Sequence, residues 1–201
     1  MKLYFSPGAC SLASHIGLRE VGAKFDLERV DLKTHKTVTG EDFYAINPKG
    51  YVPTLALDGG GILTENAAVL PYIADLKPES GLAPQRGTAE RYRLFEWLGF
   101  IGSEVHKNHK PFFSADASEK EKSAAMEKLR ERYKLIEQTL ANQPFLLGNR
   151  FSVADAYLFV MLTWMTKTGL DMSQWPSLQS FYERVGERDS VKQAREAEKA
   201  A

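Results

Sequence analysis

The sequence predicts an α/β domain in the first third of the chain and an all-α helical bundle in the rest. Two observations lead to this prediction. Short apolar strands alternate with helices up to about residue 76, and from Thr88 onward every apolar pattern has helical spacing. The segment between the two parts contains prolines and glycines and shows no periodicity. We therefore expect an α/β domain at 1–77, a linker at 78–87 and an all-helical domain at 88–201.

The α/β domain begins with a strand-helix-strand unit. Leu3–Phe5 is a short apolar strand, and residues 25–32 alternate apolar and polar side chains with the period of two that a strand requires. The helix between them spans about 10–21, and Gly22 provides a C-terminal stop.

A hairpin and a helix complete this domain. Residues 52–57 and 62–64 are predicted strands joined by the glycine-rich turn 58–61, and residues 65–76 carry apolar side chains at helical spacing. A strand, a helix led by a cysteine and a hairpin led by a proline occur in the order of a thioredoxin-like domain.

Three segments of the second domain have clear helical patterns. One helix begins near Thr88, and another lies behind the charged run from Glu119, whose charges are predicted to face solvent. The third opens with a capping-box pattern from Ser152 to Asp155 and is apolar nearly all round as far as Met165, as expected for the buried centre of a bundle.

Composition and charge exclude several classes of function. The 26 basic side chains balance 26 acidic ones, so no net field favours nucleic acid or an anionic membrane. The single cysteine, Cys10, excludes an internal disulfide and favours a reducing compartment. The longest apolar stretch, Val153–Met165, is shorter than the roughly 18 residues of a membrane span. We expect a cytoplasmic protein that binds a small molecule.

Cys10 is the first candidate for chemistry. It follows a strand and a Pro-Gly turn, so it should lie at the first turn of the first helix. Unpaired N–H groups and the helix dipole at that end favour a reactive thiolate. A buried cysteine that only fills space is the alternative.

Two further features of this domain suit a peptide-like ligand. A cis Val52–Pro53 bond would direct the Val52 backbone N–H and C=O outward, whereas an edge strand is the alternative. Glu65 and Asn66 open a helix, where backbone N–H groups can receive a carboxylate and the Glu65 side chain an ammonium. Ordinary helix-start chemistry is the alternative there.

One side of the helix that begins near Thr88 carries small residues and a histidine, namely Gly99, Gly102, Ser103 and His106. Each helical glycine costs about 1 kcal/mol relative to alanine, which suggests that a ligand or another helix approaches closely. His106 could exchange a proton with a thiol and Lys107 would add positive potential, whereas a surface histidine is the alternative. The spacing of His106 and His109 suits a metal, but no further ligand completes a set, so we predict no metal site.

Five blocks spread over nearly the whole chain carry a family resemblance, namely Tyr4–His15, Asn47–Pro53, Leu63–Glu65, Glu104–Lys107 and Phe151–Leu158. In this order they resemble the cytosolic glutathione transferases, most closely the bacterial beta class. The first block is specific to this class, whereas the Ser-x-Ala-Asp pattern of the last is shared by transferases generally.

The resemblance implies a thioredoxin-like domain that holds glutathione as co-substrate and an all-helical domain that lines the electrophile pocket. It implies that Cys10 contacts the glutathione sulfur with His106 beside it, and that both act in catalysis. The residues that it implies for glutathione binding are Cys10, His35, Val52, Pro53, Glu65, Asn66, Ser103, His106 and Lys107. It also implies a homodimer in which residues around 99 and 103 complete the partner's site.

Three positions depart from the family's usual pattern. His35 stands where lysine is common, which would make binding of the glycine carboxylate weaker and pH-dependent. Asn66 replaces serine or glycine and can still form hydrogen bonds. Gly99 replaces asparagine, which removes any cross-subunit contact of that side chain.

The predicted reaction is attack of the glutathione thiolate on a small hydrophobic electrophile that bears a halide or a conjugated double bond. Candidates for the wall of the electrophile pocket, which are equally candidates for the core, are Phe112, Phe113, Trp164 and Met165. One alternative is a glutathione-dependent disulfide reductase or dehalogenase that uses Cys10 as its nucleophile. A non-catalytic protein of the same fold that binds a ligand or partner is another.

Overall fold

The computed structural model describes residues 1–201 and divides into two compact units. The first comprises Met1–Ala83 together with Arg188–Ala201, and the second comprises Pro84–Glu187. Residues 188–201 lie within the predicted helical domain at 88–201, whereas their contacts place them in the α/β unit.

The first unit is built on a mixed five-stranded sheet. Its strands are β1 (Lys2–Phe5), β2 (Asp26–Asp31), β3 (Lys36–Thr37), β4 (Thr54–Ala56) and β5 (Ile62–Thr64). Their order is β3-β2-β1-β4-β5, with β1 and β2 parallel and the other pairs antiparallel. The predicted strands and hairpin are confirmed. β3 was not predicted, because two residues are too few to show an alternation.

The helices account for most of the remaining chain. They are α1 (Ser11–Glu20), α2 (Phe43–Ile46), α3 (Asn66–Asp75), α4 (Ala89–Phe100), α5 (Lys107–His109), α6 (Glu119–Leu140), α7 (Val153–Thr163), α8 (Met165–Thr168), α9 (Pro176–Gly186) and α10 (Asp189–Ala200). No helix of the chain has the length and apolar composition needed to cross a membrane.

The alternation of β1 places helices on both faces of the sheet. Tyr4 packs against Phe43 of α2 with ring centroids 5.7 Å apart, while Phe5 faces His15 of α1 at 6.3 Å. α1 packs closely on α3, because a Cβ atom on Gly17 would lie 3.3 Å from Ile73.

Buried polar contacts hold α10 against α1. Glu198 is 4% exposed, and its carboxylate accepts from the Gly8 N–H at 3.0 Å and meets His15 Nδ1 at 3.1 Å. At the other end of α10, Arg188 binds both carboxylate oxygens of Glu20, at 2.7 and 2.8 Å. Because Glu198 is buried with partners from the first unit, α10 belongs with the sheet and not with the helical bundle.

The second unit is helical throughout, which confirms the predicted all-α domain. Its central helix α7 is buried along nearly its whole length. The predicted capping box is present, since Asp155 accepts from the Ser152 N–H and hydroxyl at 2.8 and 2.6 Å. Burial raises the pKa of Asp155 to about 6, although these donors oppose the rise.

A π-helical segment, Ile101–His106, follows α4 directly and was not predicted. Side chains from the next turn bond to its carbonyl groups. Asn108 Nδ2 donates to the Glu104 carbonyl at 2.6 Å, and His109 Nδ1 lies 3.0 Å from the Val105 carbonyl. Wide turns of this kind often mark functional positions.

His109 is fully buried and also lies 3.2 Å, through Nε2, from the Tyr133 hydroxyl. Burial lowers the pKa of His109 to about 4; the bond to Val105 opposes this and the neighbouring His106 adds to it. The imidazole is therefore neutral at pH 7, with Nδ1–H donating to Val105.

We predict that Glu198→Ala lowers the free energy of unfolding by about 3 kcal/mol, because the Gly8 N–H and His15 lose a buried charged partner. Glu198→Gln should cost less, since its amide oxygen can still accept from Gly8. Urea unfolding measures both. Glu196→Ala, at an exposed position of the same helix, is the control. A loss in Glu198→Ala no larger than in this control would contradict the prediction.

We also predict that His109 makes the fold sensitive to acid. The folded imidazole binds a proton more weakly than in the unfolded chain, where its ordinary pKa is 6.5, so falling pH favours unfolding. This contribution is fully present above about pH 6.5 and is lost towards pH 4, by up to about 3 kcal/mol.

The unfolding free energy of His109→Gln should therefore fall less steeply from pH 6.5 to 4 than that of the unaltered protein. Tyr133→Phe, which leaves the imidazole buried, is the control and should keep the steep dependence. Parallel pH curves for His109→Gln and the unaltered protein would refute this assignment.

Candidate active site

Cys10 lies immediately before α1, at the end of the loop that leaves β1. Its side chain is buried, and Sγ donates a hydrogen bond to the Val52 carbonyl at 3.2 Å. The predicted position of the cysteine at the first turn of the helix is therefore correct, and the thiol contacts a backbone group that is itself a predicted site residue.

The thiol is protonated in this environment. Burial raises the pKa of Cys10 to about 12, and the negative charge of Glu65 adds to the rise, while the backbone N–H groups of Cys10 and Ser11 oppose it. The expectation that the helix N-terminus would favour a thiolate is wrong, because loss of solvation raises the pKa of Cys10 more than the nearby N–H groups lower it. Cys10 is therefore a hydrogen-bond donor at neutral pH.

The side chain of Asn66 points into the protein. Its Nδ2 donates to the Cys10 carbonyl at 3.0 Å, and its Oδ1 accepts from the Ser14 hydroxyl at 2.9 Å. Asn66 is 5% exposed, and these bonds occupy one N–H and one lone pair of its carboxamide. The carboxamide joins the first turns of α1 and α3.

The loop before β4 is shaped by Asn47 and Gly50. Asn47 Nδ2 donates to the Tyr51 carbonyl and to Thr54 Oγ1, each at 2.9 Å. Gly50 has a φ of 69°, and a Cβ there would lie 2.6 Å from the Tyr44 ring, so only glycine fits. The Val52–Pro53 bond is cis, and the strand ladder begins after it, at Thr54.

His35 lies against the same loop. Its ring packs on that of Tyr44 with centroids 4.4 Å apart, and its backbone has a φ of 52°. The Nδ1 atom is shielded from solvent without a hydrogen-bond partner, whereas the residue as a whole is half-buried. His35 therefore retains unused hydrogen-bonding capacity.

Glu65 and Lys49 form an ion pair beside the start of α3. Glu65 has a φ of 68°, a backbone conformation that is rare for residues other than glycine and that clusters at functional sites. Lys49 Nζ lies 3.0 Å from Glu65 Oε1 and also donates to Thr64 Oγ1 at 3.0 Å. A carboxylate, an ammonium and the free N–H groups of a helix start thus occur together.

The predicted residues of the second unit lie on or next to the π-helical segment. Ser103 and Lys107 are exposed, and His106 is half-buried. His106 Nδ1 is 2.6 Å from the Tyr157 hydroxyl, and its ring meets that of Trp164 edge to face at 5.0 Å. These contacts fix the orientation of the imidazole.

The close approach that the two glycines suggested is not found in this chain. A Cβ atom on Gly99 would have nothing within 4 Å, and one on Gly102 would meet only the Tyr157 hydroxyl, at 3.8 Å. A Cβ atom fits at both positions without a clash within the chain. The glycine pattern therefore does not reflect internal packing.

The four candidate wall residues differ in their surroundings. Trp164 packs edge to face with Phe113 at 5.0 Å, and Phe113 is 54% exposed. Phe112 is half-buried, whereas Met165 is fully buried and is a core residue.

Several residues that contact the predicted site were not singled out from the sequence, among them Ser14, Lys49, Tyr157 and Tyr44. The first three lie inside the blocks that carry the family resemblance, whereas Tyr44 lies outside them. Membership of the blocks was the available signal for those three, but it did not distinguish them from their neighbours. No group of three or more histidine, cysteine or acidic side chains lies close enough together to hold a metal ion.

Comparison with known proteins identifies the family. Residues 8–76 match the model of the glutathione S-transferase N-terminal domain, and residues 100–189 match that of the C-terminal domain. The glutathione S-transferase GstA of Escherichia coli O157:H7 is 40% identical over 198 residues, which are 98% of each chain.

Solved structures agree over the whole chain. A sphingomonad glutathione S-transferase complexed with glutathione is 49% identical, with a TM-score of 0.97 and complete coverage of both chains. The beta-class glutathione S-transferase of Sphingomonas chungbukensis is 50% identical, with a TM-score of 0.96 and 98% coverage of both chains. The resemblance drawn from the sequence blocks is confirmed, and the chain belongs to the glutathione S-transferase family.

Proposed function

We propose that this protein conjugates glutathione to small hydrophobic electrophiles, with glutathione as co-substrate. The glutathione thiolate attacks an electrophilic carbon. A carbon–sulfur bond forms as halide leaves with its bonding electrons, or as a conjugated acceptor takes up a proton at its α-carbon. The observation that carries this proposal is the protonated Cys10, which donates through Sγ at the carbonyl of Val52.

Cys10 is proposed as a donor to the glutathione sulfur. Two adjacent thiolates would repel each other, so one neutral thiol beside one thiolate is the stable combination. A hydrogen bond to the charged form lowers the pKa of the glutathione thiol, and thereby increases the fraction of nucleophile at neutral pH. The same protonated state disfavours Cys10 as the attacking group.

The first unit is proposed to bind the peptide backbone and both ends of glutathione. Val52 would pair with the cysteinyl group through its main chain, with Pro53 next to it. Glu65 and the Asn66 N–H would hold the γ-glutamyl end, and His35 would hold the glycyl end. Support for His35 comes from its half-buried ring, which packs on Tyr44 beside the loop that leads to Val52.

Ser103, His106 and Lys107 are proposed as further glutathione-binding residues, with His106 taking part in thiol activation. The support is their position on or next to a π-helical segment and the fixed orientation of the imidazole. A cytoplasmic location is also proposed, because the single cysteine has no disulfide partner in the chain.

We predict that the purified protein turns over glutathione and 1-chloro-2,4-dinitrobenzene, and that Cys10→Ala lowers kcat/KM by about tenfold. This loss is the lower end of what one hydrogen bond to a charged group contributes, since S–H is a weak donor. Cys10→Ser retains a donor and should lose less. Absorbance of the conjugate measures all three.

Two outcomes would reject this function. Loss of all turnover in both variants would make Cys10 an obligatory nucleophile, as in a disulfide reductase or dehalogenase. Absence of turnover and of glutathione binding in the unaltered protein would leave a non-catalytic member of the fold.

We further propose that the protein is a homodimer. Tyr92 and Phe95 of α4 are 67% and 41% exposed and meet edge to face, and exposed aromatic clusters of this kind occur at interfaces. Sedimentation should give about twice the chain mass of 22.5 kDa. The double variant Tyr92→Glu, Phe95→Glu should sediment with the mass of one chain. A single mass for the unaltered protein would exclude the homodimer.

A further inference from the structure

The ion pair of Lys49 and Glu65 has no evident structural purpose. The two side chains are 53% and 63% exposed, and exposed pairs of this kind contribute at most about 1 kcal/mol to stability. The contribution of this ion pair to stability is therefore small. Lys49 nevertheless has two partners at 3.0 Å, Glu65 Oε1 and Thr64 Oγ1, so its ammonium is held beside the start of α3.

The surroundings of this pair contain further unpaired donors. The N–H groups of Ala68 and Val69 bond to the Glu65 carbonyl at 2.9 and 2.8 Å, which leaves those of Asn66 and Ala67 as the free donors of the helix start. The Asn66 side chain is 5% exposed and already bonds Cys10 and Ser14. Lys49 therefore places a cationic side chain beside a helix start that is expected to receive a carboxylate.

We propose that Lys49 determines specificity by binding the α-carboxylate of the γ-glutamyl end, while Glu65 binds the α-ammonium. This inference rests on the proposed function. The ammonium and carboxylate groups of an α-amino acid are bonded to the same carbon. Lys49 Nζ and Glu65 Oε1 lie 3.0 Å apart. When the α-carboxylate lies beside Lys49 and the α-ammonium beside Glu65, each charged group has a partner of opposite charge. Neither the Lys49 nor the Glu65 side chain is then left without a counter-charge when the ligand binds.

The competing view is that Lys49 only neutralises Glu65 in the unliganded chain. In that case the ligand ammonium would have to displace Lys49, and removal of Lys49 would strengthen binding. The two views make opposite predictions for the sign of the change, which a binding experiment can distinguish.

The test uses S-methylglutathione, which cannot exchange with Cys10, and two analogues of it. In one, glutaryl replaces γ-glutamyl, which removes the α-ammonium; in the other, 4-aminobutyryl replaces it, which removes the α-carboxylate. Lys49→Met should raise the dissociation constants of S-methylglutathione and of the glutaryl analogue about fivefold. The dissociation constant of the 4-aminobutyryl analogue should not rise. Calorimetry gives the dissociation constants.

Two variants serve as controls. Lys49→Arg keeps the charge and should retain most of the affinity. Lys24→Met makes the same change in net charge at an exposed lysine beyond the C-terminal end of α1, and should bind all three ligands as the unaltered protein does.

The inference would be overturned if Lys49→Met bound all three ligands more weakly by the same factor, or if it bound S-methylglutathione more tightly. Either result would leave the proposed function intact. Failure of the unaltered protein to bind S-methylglutathione would instead overturn the proposed function, and this inference with it.

Discussion

The N-terminal end of α1 is fixed by hydrogen bonds from three separate parts of the first unit. Glu198 accepts from the Gly8 N–H, Asn66 donates to the Cys10 carbonyl, and the Val52 carbonyl accepts from the Cys10 thiol. These pairs are separated by 190, 56 and 42 residues along the chain, so the thiol is positioned by tertiary contacts and not by its local sequence. Each buried group that lost its partner would cost about 1–3 kcal/mol, which makes this arrangement specific as well as stable.

The burial that fixes the Cys10 thiol also determines its chemistry. Removal of water destabilises the charged form more than the adjacent N–H groups stabilise it, so the thiol keeps its proton. A neutral thiol is a poor nucleophile, but in a site of low polarity it can donate to a thiolate without repelling it. Our proposed mechanism requires this property, because the nucleophile then comes from the ligand and the protein supplies the donor.

The parts of this molecule that the sequence predicts are those set by short-range patterns. The alternation around Val30, the helical spacing from Ala68 to Leu76 and the turn chemistry of Gly59–Gly61 depend on neighbours a few residues away, and all three elements are present. The direction of the Cys10 pKa shift was predicted with the wrong sign, because the helix start is visible in the sequence whereas the depth of burial is not. The association of α10 with the sheet was missed for the same reason. It depends on Glu198 reaching a loop near the other end of the chain.

Asn66 shows how a position can serve a binding site without a side chain that faces the ligand. Its carboxamide bonds the Cys10 carbonyl and the Ser14 hydroxyl and is buried, whereas its backbone N–H lies at the start of α3. The charged side chains at that end come from neighbouring positions, of which Glu65 is anionic and Lys49 cationic. Because the carboxamide joins the turn that carries the thiol to the turn that is proposed to receive the γ-glutamyl end, it fixes the distance between the two subsites. A peptide ligand with a fixed spacing between its amino acid end and its sulfur requires such a constraint.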